Sequence, residues 1–269
     1  VTRVINFDVI VLAGDRGPAD PVAASQGVAG KVLARIAGRT LLGRVLETVA
    51  GLEGLNAVIL VCSESPGYTQ EFERNVPLAS RGPIVAPAAG PAASLVEALR
   101  RSDGSKPVLV VTGDHPLLER AWLEDFIDDA AAANAAAVVG VADADAVARR
   151  FPQSRRTRYR FADGPSCGTN MFWFDAVRGR TVAEIWSSFE QDRKRPWRII
   201  ARLGPAILLR YITGRLRLDD ATEALSRRLG VPLAAVRVAA PEAAVDVDNL
   251  EDFALAEQVL AEREAARAQ

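Results

Sequence analysis

Two hydrophobic patterns take turns along this chain: short unbroken apolar runs, and apolar residues at helical spacing. Asp8 to Ala13 reads DVIVLA, a β-branched run cut off by Gly14, as expected of a strand buried on both faces of a parallel sheet. Leu41 to Val49 has helical spacing and leads through Gly51 and Gly54 into a second buried run, Ala57 to Cys62. The alternation continues with a short helix at Tyr68 to Asn75, a short strand at Gly82 to Ala88, a helix at Ser94 to Arg101 and a hydrophobic strand at Pro107 to Asp114. Glu119 to Ala133 is helical by alanine content and apolar spacing, and Ala136 to Asp143 is strand-like. Alternation of this kind predicts an α/β fold with a doubly wound, mostly parallel, Rossmann-like sheet and a ligand crevice at the carboxyl ends of the strands.

After Asp143 the pattern changes. Arg149 to Phe174 mixes turn signals with two short extended stretches, Tyr159 to Ala162 and Met171 to Phe174, and reads as an α+β insertion over the sheet edge. Thr181 to Leu229 is mainly helical, broken at Pro196, Gly204 to Pro205 and Gly214. Extended segments follow at Val236 to Ala240 and Ala244 to Asp248, and Asn249 is placed to cap a closing helix, with Asp252 at its acidic third position. The expected organisation is a single domain over 1–269, in which 149–217 forms an acceptor-side insertion and helical subdomain.

Composition narrows the function classes. With 33 basic and 34 acidic residues, the net charge of -1 supplies no general field for nucleic acid, so anion binding falls to local patches. Cys62, Cys167 and the single His115 do not make a disulfide framework or a zinc cluster, and a cytoplasmic setting is expected. The apolar start of the chain is too short to span a membrane.

Three segments carry candidate chemistry. Leu12 to Lys31, LAGDRGPADPVAASQGVAGK, follows the first strand and offers glycines, an arginine and a lysine where phosphates would be cradled by backbone N–H groups; its bland alternative is a mobile surface loop. Its spacing fits neither GxGxxG nor GxxxxGK[ST], which disfavours a dehydrogenase or a P-loop kinase. In VVTGDHP, Asp114 ends a buried strand, suited either to hold Mg²⁺ against phosphate oxygens or to start a turn before Pro116, while His115 reads as a structural histidine. In AVDVDNLEDF, Asp246 and Asp248 alternate onto one face, where paired carboxylates call for a cation; capping of the last helix explains one of these residues and not both.

Together LAG, the lysine opening KVLARIAGRTLLGRVLETV, TGDHPLL and the late DVDNLEDF resemble the MobA-like NTP transferase family, nucleotidyltransferases with a GT-A-type fold. The resemblance runs from about Phe7 to Val259 and is weakest over Arg149 to Arg217. It implies that Leu12, Ala13 and Gly14 hold the nucleotide, that Lys31 contacts the triphosphate as electrostatic catalyst, and that Asp114 and Asp248, less so Asp246, bind Mg²⁺. The family's second glycine is Asp15 here and the loop before Lys31 is longer, so Asp15 and Arg16 become candidate nucleotide contacts. GPAASLVEAL resembles the stretch in which related cytidylyltransferases place a serine near the nucleotide, which nominates Ser94.

Six arginines between Arg149 and Arg160, followed by the neutral donors of GPSCGTN, suit an anionic acceptor, with Arg155, Arg158, Thr169 and Asn170 as its candidate contacts; a solvated face is the alternative. Arg193 to Arg217 holds eight basic residues and no acidic one among apolar neighbours, and either packs on the domain or lies weakly on an anionic membrane. The function expected is transfer of NMP from an NTP, CTP or GTP favoured, to a small phosphorylated acceptor, with Mg²⁺ as cofactor and pyrophosphate released. A GT-A glycosyltransferase and a non-catalytic nucleotide-binding domain are the alternatives.

Overall fold

The computed structural model describes residues 5–14, 17–187 and 200–267. The first apolar run forms β1 (Phe7–Leu12), and the loop after it contains a short helix, α1 (Pro21–Gln26). A small hairpin, β2 (Arg35–Ile36) with β3 (Arg39–Thr40), leads into α2 (Leu41–Ala50). Next come β4 (Leu55–Val61), α3 (Pro66–Asn75), β5 (Arg81–Val85), α4 (Pro91–Arg101) and β6 (Val108–Thr112). They are followed by α5 (Arg120–Ala132), β7 (Ala137–Asp143), α6 (Ala144–Arg150), β8 (Ser166–Phe174) and α7 (Gly179–Ser187). The last described elements are α8 (Pro205–Ile212), α9 (Leu218–Leu229), β9 (Leu233–Val238) and α10 (Leu250–Arg267).

Seven strands form one sheet in the order β5-β4-β1-β6-β8-β7-β9, and β8 alone runs against the rest. Alternate residues of β1 feed two different cores. Phe7, Val9 and Val11 pack with α2, α3 and α5, whereas Ile10 packs with α4 and α7 on the opposite face. That two-sided burial is why the strand reads as an unbroken apolar run. The strand order reverses direction between β1 and β6, and this switch point opens the crevice at their carboxyl ends. No helix among the described residues is long and apolar enough to cross a membrane.

The structure corrects several local expectations. Met171 to Phe174 does not cover an edge: it belongs to β8, which is inserted between β6 and β7. Hydrophobicity alone conceals this, because an interior antiparallel strand is as apolar as a parallel one. Tyr159 to Ala162 is not a strand, and only Tyr159 makes an isolated bridge, to Ser166. Ala244 to Asp248 has no ladder either. A one-turn 3-10 helix, Pro241–Ala244, precedes an irregular stretch in which Val245 and Val247 are fully buried, so the alternation survives without a partner strand. Between residues 17 and 31 the segment is built rather than loose: the Asp20 carboxylate accepts the Val22 N–H at 2.9 Å, Pro21 opens α1, and Val22 and Ala23 are buried.

Candidate active site

Two strand ends and one late segment meet at the crevice. Beyond β1, the Ala13 N–H donates to Val61 O at 2.8 Å and Gly113 N–H donates to Leu12 O at 2.8 Å, so the sheet itself fixes the turn. Gly14 closes on the neighbouring loop; a Cβ there would stand 3.3 Å from the Pro87 side chain. Ser94 is buried in α4, and its hydroxyl oxygen accepts the Ala88 N–H at 2.9 Å. Its observed partner is therefore the 86–90 turn beside Gly14. Asp15 and Arg16 lie outside the described residues.

Asp114 follows β6 and is tied to the late segment by main chain, since Val247 N–H donates to Asp114 O at 2.9 Å. With Val245 and Val247 anchored below, the carboxylates of Asp246 and Asp248 turn toward Asp114, and the three offer ligand atoms within 4.8 Å of one another. The closing helix is capped as its sequence suggests: Asp252 N–H donates to Asn249 Oδ1 at 2.9 Å, and Asp252 Oδ2 accepts the Asp248 N–H at 3.2 Å.

Lys31 reaches into this cluster from the one-turn 3-10 helix Lys31–Leu33, where Val32 and Leu33 are buried and aim its stem inward. Its ammonium donates to Asp114 Oδ2 at 2.7 Å and to Val247 O, and stands 3.6 Å from Asp248 Oδ1. Burial works to lower the Lys31 pKa, but the charge and hydrogen bond of Asp114, with Asp248 and Asp246, outweigh it and leave the group raised above its ordinary value. The other carboxylate oxygen, Asp114 Oδ1, is buried and has no partner. An orphaned anionic oxygen facing two more carboxylates fits a divalent cation.

Asp246 is held by two side chains. Arg156 donates to Asp246 Oδ1, to Asp246 O at 2.9 Å and to Asp252 Oδ1 at 2.7 Å, and Asn170 donates to Asp246 Oδ2 at 2.7 Å. Asn170 sits at φ 56° within an irregularity of β8, where the β7–β8 register shifts between Val139 and Val141. Extra residues in one strand re-aim a side chain, and asparagine tolerates the left-handed backbone that this takes. Burial, then the nearby Asp114, push the Asp246 carboxyl up to about 6 against the opposing pull of Arg156. Around the crevice Asp114, Asp246, Asp248 and Asp252 face Lys31 and Arg156, leaving an excess of two negative charges.

The remaining candidates scatter. Arg155 is exposed, Arg158 pairs with Asp145 on the surface, and Thr169 is buried against Gly140 with its hydroxyl unpaired. Of the four residues nominated for an acceptor, only Asn170 is brought to the carboxylate cluster. His115 is fully buried and its Nε2–H donates to Glu242 O at 3.2 Å; burial lowers its pKa to about 4, as befits a structural histidine. Arg156 is the participant that sequence reasoning did not single out, being one of six arginines in its stretch with nothing to mark it.

The family model of the MobA-like NTP transferase domain matches residues 9–244, which takes in most of β1, Lys31, Asp114 and the other six strands of the sheet. The chain belongs to that family. Among solved structures, a hypothetical transferase from Thermus thermophilus is 31% identical, covers 93% of this chain and 100% of its own, and superposes with a TM-score of 0.74. A CMP:2-keto-3-deoxy-manno-octonic acid synthetase complexed with CTP is 13% identical, covering 97% and 100%, with a TM-score of 0.58. A 4-diphosphocytidyl-2C-methyl-D-erythritol synthase from Anaerococcus prevotii is 14% identical, covering 96% of both chains, with a TM-score of 0.56. At such identity the last two share only the fold with this chain. No curated protein sequence matches it.

Proposed function

We propose that this MobA-like protein transfers a nucleoside monophosphate from an NTP, CTP or GTP favoured, to an oxygen of a small phosphorylated acceptor, with release of pyrophosphate. The observation that carries the proposal is the convergence of Lys31 on Asp114 and Asp248 at the switch point of the sheet. Asp114 and Asp248 would hold Mg²⁺, and Asp246 is the less favoured third ligand. When bound there, the ion supplies charge neutralisation to the phosphate oxygens.

The chain's own groups do the positioning. Gly14, with no side chain of its own, lets the Pro87 loop close against the turn, and the backbone N–H groups of that turn are the proposed contacts for the nucleotide. Lys31, leaving its carboxylate partners as the triphosphate arrives, stabilises charge that develops on the α-phosphate and the departing pyrophosphate. Asn170 marks the acceptor side, and attack in line with the leaving group needs that acceptor fixed opposite the pyrophosphate. The family resemblance of the stretch around Ser94 favours CTP.

Thermal melts with ATP, CTP, GTP and UTP, each with and without Mg²⁺, test nucleotide binding directly. A nucleotide present at about a hundred times its Kd stabilises by about 2.7 kcal/mol. CTP or GTP with Mg²⁺ is expected to give the largest shift, and pyrophosphate release with phosphorylated acceptors is expected to follow the same base. Asp114→Asn should keep the fold, lose the metal-dependent shift and lower turnover by about a hundredfold or more. Near-normal magnesium-dependent turnover in that variant removes Asp114 from the mechanism, and NDP release from a nucleotide-sugar in place of pyrophosphate release from an NTP overturns the reaction.

A further inference from the structure

The helix α8 carries the sequence PAILLRYI, in which Arg210 is the one charged residue, yet no residue of the helix is buried. A helix that is apolar all round is ordinarily enclosed. Its inner face, Ile207, Leu208 and Tyr211, is half-buried on a small satellite core of Ile200, Leu216, Ala221 and Phe161. Its outer face presents Leu209 and Ile212, 62% and 71% exposed, one turn apart on the same stripe as the exposed Pro205. Isolated exposed apolar residues are ordinary, but a stripe of them on one short helix is not.

Charge says what covers that stripe. From Ile200 to Arg217 there are four arginines and no acidic residue. Arg210 is paired with Asp220, while Arg215 and Arg217 are exposed and no carboxylate among the described residues pairs with them. A second copy of the chain would bring the same arginines face to face, and a nucleic acid backbone offers nothing for Leu209 and Ile212. An anionic bilayer satisfies both, taking the apolar stripe at the acyl boundary and the guanidinium groups at the headgroups.

Topology places this helix at the same end of the sheet as the crevice. Ser166 pairs with Asp143 at the carboxyl end of β7, Tyr159 bridges to Ser166, and Ala162 N–H donates to Leu216 O at 2.7 Å, just beyond α8. The helix therefore stands at the end of the sheet that carries Asp114. We propose that α8 docks the protein on an anionic lipid bilayer through Leu209, Ile212, Arg215 and Arg217, with the open end of the crevice near the headgroups. This docking is independent of the reaction the crevice performs.

Flotation of the full chain with vesicles of phosphatidylcholine alone, or mixed with phosphatidylglycerol, tests it. Wild type is expected to float with the mixed vesicles and stay behind with the neutral ones. Leu209→Ser/Ile212→Ser and, separately, Arg215→Gln/Arg217→Gln are each expected to lower the bound fraction about tenfold, with unchanged circular dichroism and melting because all four side chains are exposed. Absence of wild type from the mixed vesicles overturns the proposal. Full retention of the serine variant also overturns it, since charge alone is then the attraction, and so does a dimer of the wild type in sedimentation that the serine variant dissolves.

Discussion

The two halves of the sheet hold their site residues by different means. Around β1 and β6 the main chain does the holding: Ala13 and Gly113 continue the strand hydrogen bonds, and Asp114 is fixed by its carbonyl to Val247. Around β7, β8 and β9 side chains do it instead. Arg156 ties Asp246 to Asp252, Asn170 reaches Asp246 from an irregular strand, and Arg237 ties Ser166 to Asp163. Backbone-held positions depend little on which side chains flank them, so the first half suits a phosphate site. Positions held by side chains can be re-aimed by single substitutions, which suits the half to which the proposed function assigns the acceptor.

The strongest way to break this contrast is to remove its central side chain. Arg156→Met leaves Asp246 and Asp252 without their cation in a poorly hydrated place, and breaking such a pair from one side costs about 3–5 kcal/mol. Arg158→Met removes an ion pair whose side chains are 41% and 47% exposed, and should cost under about 1 kcal/mol. Urea denaturation of the two variants checks both values; equal losses would mean that Arg156 is no more of an anchor than its neighbour.

A smaller effect comes from His115, on the main-chain side. Its pKa falls from 6.5 unfolded to about 4 folded, so the unfolded chain takes up the proton first as pH drops. Stability is thus complete above pH 6.5 and declines as the pH falls toward 4, by about 3 kcal/mol from this group at about 1.4 kcal/mol per unit. The raised carboxyl of Asp246 works the other way between its ordinary 3.8 and about 6, favouring the fold as it takes up a proton. Denaturation in EDTA across this range should show a flatter acid decline in wild type than His115 alone dictates, and His115→Gln should then gain stability relative to wild type as the pH is lowered. Parallel curves would refute the assignment.

Asn170 gives the smallest effect. At φ 56°, Asn170→Gly keeps the backbone and loses only the amide contact to Asp246, whereas Asn170→Ala adds about 1 kcal/mol of left-handed strain. Melting the two variants side by side checks the difference, and an alanine variant as stable as the glycine one would show that the strand has relaxed.

The same contrast separates what could be read in the chain from what could not. The β1 run, the Asp114 strand end and the Asn249 cap are local patterns, and each forms much as its residues suggest. That Asp246 and Asp248 share one face was legible because Val245 and Val247 alternate with them, even though no strand forms there. Arg156 and the interior position of β8 were not legible. Both depend on contacts between distant segments: the Arg156–Asp246 pair spans 90 residues, and a side chain's neighbours at that distance leave no periodic trace.

The place of β8 also bears on how the protein is made. Emerging from a ribosome, β6 and β7 both appear before the strand that joins them, so the nascent sheet waits as two parts with facing open edges until Phe174 has emerged. Unpaired edges of apolar strands are sites of mispairing between chains. Slow synthesis before β8 has left the ribosome would lengthen that exposure, whereas slowing once Phe174 is outside would do nothing to it.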